Sequence, residues 1–359
     1  MTHPVTRPRY VVHAEGEFGH FSSKTAIGVI RYGQGSVVAV LDSTNAGRNV
    51  SEWLGPRHDV PIVGTLDEAL AYQPTALLLG LSTAGGSIPP SWTAVMLAAV
   101  EHGLDVVSGL HELIADEPEL AATATLHGVT LTDHRRPPNR RELASGRAHR
   151  PGSRVVLTVG TDASIGKMTA ALELRQAARD AGLDAVFVAT GQTGIMIEGW
   201  GAALDGVACD FLTGTAEWLV EQAEGMGDWV FVEGQASLDH PQYSPVTLGL
   251  LHGTTPHAMV LVHEAGRRFH LGWGRRQEHP AAPLKPLTET IRSYETVASW
   301  VAPSRVLGIA LRTGHLDEAE ARAEIARVAA ETGLTTDDPV RFGAGRLLQA
   351  LRDGLADLP

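Results

Sequence analysis

Residues 154–182 read RVVLTVGTDASIGKMTAALELRQAARDAG, and this stretch decides the architecture. Arg154–Val159 is a β-branched apolar run of strand length. Beyond the loop, Ala171, Leu174, Ala178 and Ala181 recur at helical spacing, and Gly182 is placed to end that helix after Asp180. A strand that passes through a glycine loop into a helix curls successive backbone N–H groups around an anion, at the positive end of the helix. Gly160 and Gly166 permit close backbone approach, and Lys167 adds a point charge. The stretch therefore predicts a phosphate loop over Gly160, Thr161, Asp162, Ala163, Ser164, Ile165, Gly166, Lys167, Met168 and Thr169. Its spacing departs from the ordinary Walker A pattern. One extra residue separates the glycines, and Met168 stands where a hydroxyl would hold Mg²⁺. Thr169, one step round the helix, either takes that role or no metal is used.

The same alternation continues on both sides. Downstream, strands are expected at Ala185–Ala189, Trp229–Glu233, Ala258–His263 and Arg305–Leu311, with helices at Gly214–Glu224, Asp317–Thr332 and Gly343–Gly354. Upstream, strands are expected at Thr25–Arg31, Val37–Leu41, Val60–Val63, Ala76–Leu81 and Asp105–Ser108. Thr65 is the expected N-cap of a helix with Glu68 three residues on, and Ser91–His102 the expected helix before Gly103. Strands separated by helices of this length imply parallel α/β layers. The fold class is α/β: a Rossmann-like N-terminal domain over 1–135, then a P-loop-type doubly wound domain over 154–359. Residues 136–153, basic and without apolar periodicity, form the expected linker. No G-x-G-x-x-G occurs, so the N-terminal layer carries no dinucleotide fingerprint.

Composition narrows the partners. The 359 residues carry a formal net charge of -12, which argues against nucleic acid. No apolar run reaches the ~18 residues of a membrane span and no secretory core opens the chain, so a cytoplasmic location is expected. The lone Cys209 is expected to be a buried small residue. The 16 histidines show no H-E-x-x-H spacing, so no zinc site is expected.

Gly160-Thr161-Asp162 with Gly166-Lys167 resembles the phosphate loop of dethiobiotin synthetase-like proteins. Asp228–Gln235 resembles the region where an apolar strand of that fold ends in a glutamate beside the phosphates. Glu233 would there bind Mg²⁺, accept a proton from an amine, or cap a loop. Arg312 stands where those proteins carry an adenine-reading Asn.

A wider resemblance covers about residues 16–355. Ser22–Asn45, Ser108–His111, Gly160–Thr169, Ala216–Trp218, Val232–Gln235 and Asp338–Ala344 are similar to the D-glutamate N-acetyltransferase (DgcN-type) family, formerly a domain of unknown function. That resemblance implies a homodimer moving an acetyl group from acetyl-CoA to the amine of an amino acid, D-glutamate or one like it. CoA carries a pyrophosphate that such a loop suits. Glu233 is the first candidate base and Asp162 the second; His263 is a candidate oxyanion donor. Gln192 and Thr193, Arg267, Asp42 and Arg48, and His111 follow strands at positions that suit substrate contact. The alternative is an ATP/Mg²⁺-dependent ligase or carboxylate kinase, in which Thr169 and Glu233 would hold the metal.

Overall fold

The computed structural model describes residues 8–33, 35–271 and 282–358. The chain divides into two compact units: residues 1–137 with 195–199, and residues 138–194 with 200–359.

The first unit is a six-stranded parallel sheet: β1 (Tyr10–His13), β2 (Val37–Leu41), β3 (Ile62–Val63), β4 (Ala76–Leu79), β5 (Asp105–Ser108) and β6 (Leu131–Asp133). The strand order is 3-2-1-4-5-6, the Rossmann order. Val11, Val12, Leu77 and Leu78 are fully buried, as strands covered on both faces require. The Thr65 side chain accepts from Glu68 N, as the sequence predicts.

Thr25–Arg31, expected as a strand, lies instead in the helix Lys24–Tyr32. Tyr10–His13 takes the central strand position, and Ala26 N donates to Gly80 O at 3.0 Å. A Cβ on Gly80 would stand 2.9 Å from Ala26 Cβ. Close packing onto the neighbouring strand thus overrides the β-branched propensity of Thr25, Ile27, Val29 and Ile30.

The second unit contains β7 (Arg154–Gly160), β8 (Ala185–Val188), β9 (Trp229–Val232), β10 (Ala258–Glu264), β11 (Arg305–Arg312) and β12 (Thr335–Asp337). All pair in parallel, in the order β12-β11-β10-β7-β9-β8. Along β10 the side chains alternate between two cores: Met259 and Leu261 join one with Leu219, Val220 and Tyr294; Val260 and Val262 join the other with Leu174, Phe231 and Leu347. The helices Ser244–Thr254 and Leu287–Ala298 add to the expected set. Gln192 and Thr193, expected to line a ligand, open a helix, Gln192–Glu198.

Residues 138–153 contain no helix or strand. They are nevertheless tied to the second unit along the helix Cys209–Glu224. Glu217 accepts from Ser145 N and Arg147 N at 2.8 and 3.0 Å. Buried Glu224 accepts from Arg147 Nη2 at 2.6 Å and Ser153 Oγ at 2.8 Å, and pairs with His149 Nδ1 at 2.8 Å. Arg147 and His149 of this segment thus meet an acidic partner on that helix, and Arg150 pairs with Asp228 just beyond it at 2.5 Å. Cys209 is exposed, against expectation, because it begins that helix ahead of the first core-facing residue, Leu212. No helix among the described residues is long and apolar enough to cross a membrane.

Candidate active site

In the second sheet β7 lies between β9 and β10, so the chain leaves β7 at the point where the strand order reverses. Open parallel sheets hold ligands at such points, outside the carboxyl ends of the strands. Here the predicted loop sits. Gly166 has φ +106°, Ser164 has φ +56°, and the helix begins at Lys167. The Lys167 side chain folds back over the loop, its Nζ donating to Asp162 O at 2.6 Å. A Cβ on Gly160 would lie 2.9 Å from that Nζ, so the first glycine makes room for the lysine. Met168 and Thr169 occupy the first helical turn, half-buried.

The loop is anchored from below. The Tyr294 hydroxyl donates to Gly160 O at 2.7 Å and accepts from Gly160 N and Leu238 N at 3.3 and 3.2 Å. Burial pushes the Tyr294 phenol well above its usual range, which keeps it a neutral donor. Thr161 Oγ1 and His263 Nδ1 share a hydrogen bond of 2.9 Å. Burial lowers His263 to about 4, so its imidazole is neutral at physiological pH.

Glu233 stands just past β9, 5% exposed. Its Oε2 accepts from Thr190 N at 3.0 Å and Gly191 N at 3.2 Å, latching the β8 turn to β9. Burial raises its carboxyl to about 7, against those hydrogen bonds, which act in the other direction. A Cβ on Gly194 would lie 2.5 Å from Oε2, and one on Gly234 would lie 1.6 Å from Thr158 O. Glycine is the only residue either position admits without displacement.

Asp162 is fully buried. Its Oδ2 accepts from Arg267 Nε at 2.7 Å and from Leu271 N at 2.8 Å. Its Oδ1 faces His270 Nδ1 at 3.3 Å and His240 Nε2 at 3.5 Å. Arg267, expected to meet a substrate carboxylate, is engaged by Asp162 and by Glu264 Oε2 at 3.3 Å.

The carboxyl edge of the second sheet therefore brings together the loop 160–169, Glu233, His263, Arg267, Gln192 and buried Thr193. Tyr294, His240 and His270 join them without any local sequence signal. Asp42, Arg48 and His111 belong to the other unit. Asp42 there accepts from Gly16 N, Phe18 N and Thr44 N at 3.0, 3.2 and 3.0 Å, and from Asn45 Nδ2 at 2.9 Å; this set holds its carboxyl below the usual range despite burial. Its oxygens are fully taken up by the turn they organise. Arg48 pairs with Glu52 at 2.6 Å and lies over the Trp53 ring; His111 is exposed.

Known proteins carry the same two-part plan. Residues 43–137 match a Rossmann-like domain of unknown function, DUF1611_N, and residues 142–348 match the P-loop domain DUF1611_C. A D-glutamate N-acetyltransferase of Tritonibacter scottomollicae is 40% identical over 287 residues, 80% of this chain and 84% of the relative. One from a Pseudoalteromonas species is 35% identical over 285 residues, 79% of this chain and 83% of the relative. The crystal structure of a DUF1611 family protein from Anabaena variabilis superposes with a TM-score of 0.90 at 40% identity, covering 97% of this chain and all of that one. The chain belongs to the DUF1611 family of two-domain Rossmann-like and P-loop proteins.

Proposed function

We propose that the protein is an N-acetyltransferase that moves the acetyl group of acetyl-CoA to the amine of an amino acid, D-glutamate by kinship, and that it works as a homodimer. The observation that carries this reading is the 40% and 35% identity to two D-glutamate N-acetyltransferases across four-fifths of the chain. The loop at residues 160–169 supports it, because main-chain amides and one ammonium suit the CoA pyrophosphate. In the reaction the substrate ammonium loses a proton, its nitrogen attacks the thioester carbon, and the C–S bond breaks. The sulfur leaves as thiolate and takes up the second proton, which the nitrogen sheds as the amide forms. Glu233, raised to about 7, is matched to the first proton transfer near neutral pH. The pantetheine arm separates the pyrophosphate from the thioester, so it must turn back along the strand edge for Glu233 to serve the amine.

The test is a thiol-release assay. Purified protein receives D- or L-amino acids with acetyl-CoA, or with ATP and Mg²⁺, while free thiol, ADP and AMP are followed. Thiol release that depends on the amino acid is expected. ADP or AMP formation without thiol release would replace this reading with an ATP-dependent ligase.

A further inference from the structure

Three side chains from distant segments meet beneath the phosphate loop: Asp162 within it, His240 after β9 and His270 after β10. One ligand atom from each of Asp162, His240 and His270 lies within 4.8 Å of the other two, and all three residues are buried. Oδ1 is 3.5 Å from His240 Nε2 and 3.3 Å from His270 Nδ1. Those separations exceed the roughly 2.7–2.9 Å of a charge-assisted hydrogen bond. They are close to the ligand–ligand edge, about 3.3 Å, of a tetrahedron whose centre lies about 2.0 Å from each N or O ligand. His240 Nε2 is buried without a hydrogen-bond partner, although its side chain is wholly enclosed. The outer contacts are also those that orient ligands. Arg267 Nε and Leu271 N fix the second oxygen of Asp162, and His270 Nε2 faces Asp239 Oδ2 at 3.9 Å.

We propose that Asp162, His240 and His270 bind a divalent cation of the zinc type. Two imidazole nitrogens and one carboxylate oxygen are a ligand set that zinc accepts. The cation adds to Lys167 and Arg267 in favouring an anion at this edge. Binding requires a proton shift. His240 Nδ1 accepts from Gln242 N at 3.1 Å, so the neutral ring carries its proton on Nε2. Ligation through Nε2 moves that proton to Nδ1 and gives up the Gln242 contact. Any part the metal plays in acetyl transfer rests on the transferase reading; its presence does not.

The full-length protein, purified without chelator, would be saturated with Zn²⁺ or Co²⁺, gel-filtered and assayed by elemental analysis. The expected result is one retained equivalent per chain, visible d–d absorption with Co²⁺, and a change of the His240 ring from the Nε2–H to the Nδ1–H tautomer in ¹⁵N NMR. His240→Ala and His270→Ala should lose the metal, whereas His315→Ala, at an exposed site, should retain it. If those two variants fail to fold, the Co²⁺ spectrum and the tautomer of the unaltered protein decide. No retained metal, a featureless Co²⁺ spectrum and an unchanged tautomer in excess Zn²⁺ would overturn the proposal. Metal bound without thiol release would remove the transferase reading and leave the site standing; thiol release by a protein that retains no metal after saturation would remove the site alone.

Discussion

Glu233 shows how one side chain combines fold and chemistry. Its oxygen holds two amides of the β8 turn, and burial raises its carboxyl from 4.5 to about 7. Between these values the folded chain keeps a proton that the unfolded chain has released. The associated stability is fully present below about pH 4.5 and is lost as pH rises through about 7, on the order of 3 kcal/mol. Glu233→Gln abolishes this titration. Its melting temperature relative to the unaltered protein should therefore rise between pH 5 and pH 8, and a difference independent of pH would refute the assignment. Legibility at this scale follows chain distance. Gly160, Gly166 and Lys167 declare themselves because they are neighbours in one loop. Tyr294 and the group around Asp162 do not, since 134 residues separate Tyr294 from Gly160 and 108 separate His270 from Asp162. Only the strand order brings them together.

At the scale of elements, apolar period and capping residues located most of the second unit, and Asp317 closes a full capping box with Glu320 at the start of its helix. Thr25–Arg31 misled because its β-branched content fits a strand in isolation, while the close approach of Ala26 to Gly80 is a tertiary fact. The basic segment before β7, expected as the linker, is held by contacts that its own spacing does not reveal. Glu217 takes up its main-chain amides and Glu224 the Arg147 guanidinium, both on a helix some 70 residues later. Glu224→Ala would leave Arg147 and Ser153 without their buried acceptor. Trypsin should then cut within residues 138–153 several-fold faster than in the unaltered protein; equal cleavage rates would show that the segment is held by other means. A side chain at Gly234 should be worse tolerated. Gly234→Ala must displace either β7 or the turn after β9, and a loss of ~2 kcal/mol or more is expected in urea unfolding.

Across the whole molecule the same buried sheets set the response to acid. His13 and His134 in one unit, and His257 and His263 in the other, are each lowered to about 4, with burial the largest cause. Their folded values lie below the unfolded 6.5, so the unfolded chain takes up protons first as pH falls. The stability they contribute is present above about pH 6.5 and declines towards pH 4. Urea midpoints should fall steadily from pH 7 to pH 5, opposing the smaller gain from the single Glu233; constant midpoints would contradict these burials. Parallel order in both sheets was legible from strand–helix alternation, and it is this order that puts the phosphate loop at the reversal point of the second sheet. The most direct test of the loop's role is calorimetric titration of CoA into the unaltered protein and Lys167→Ala. The account predicts a loss of ~1–3 kcal/mol, the scale of a charge-assisted hydrogen bond, in a variant that remains folded. Equal affinity in the two proteins would contradict it.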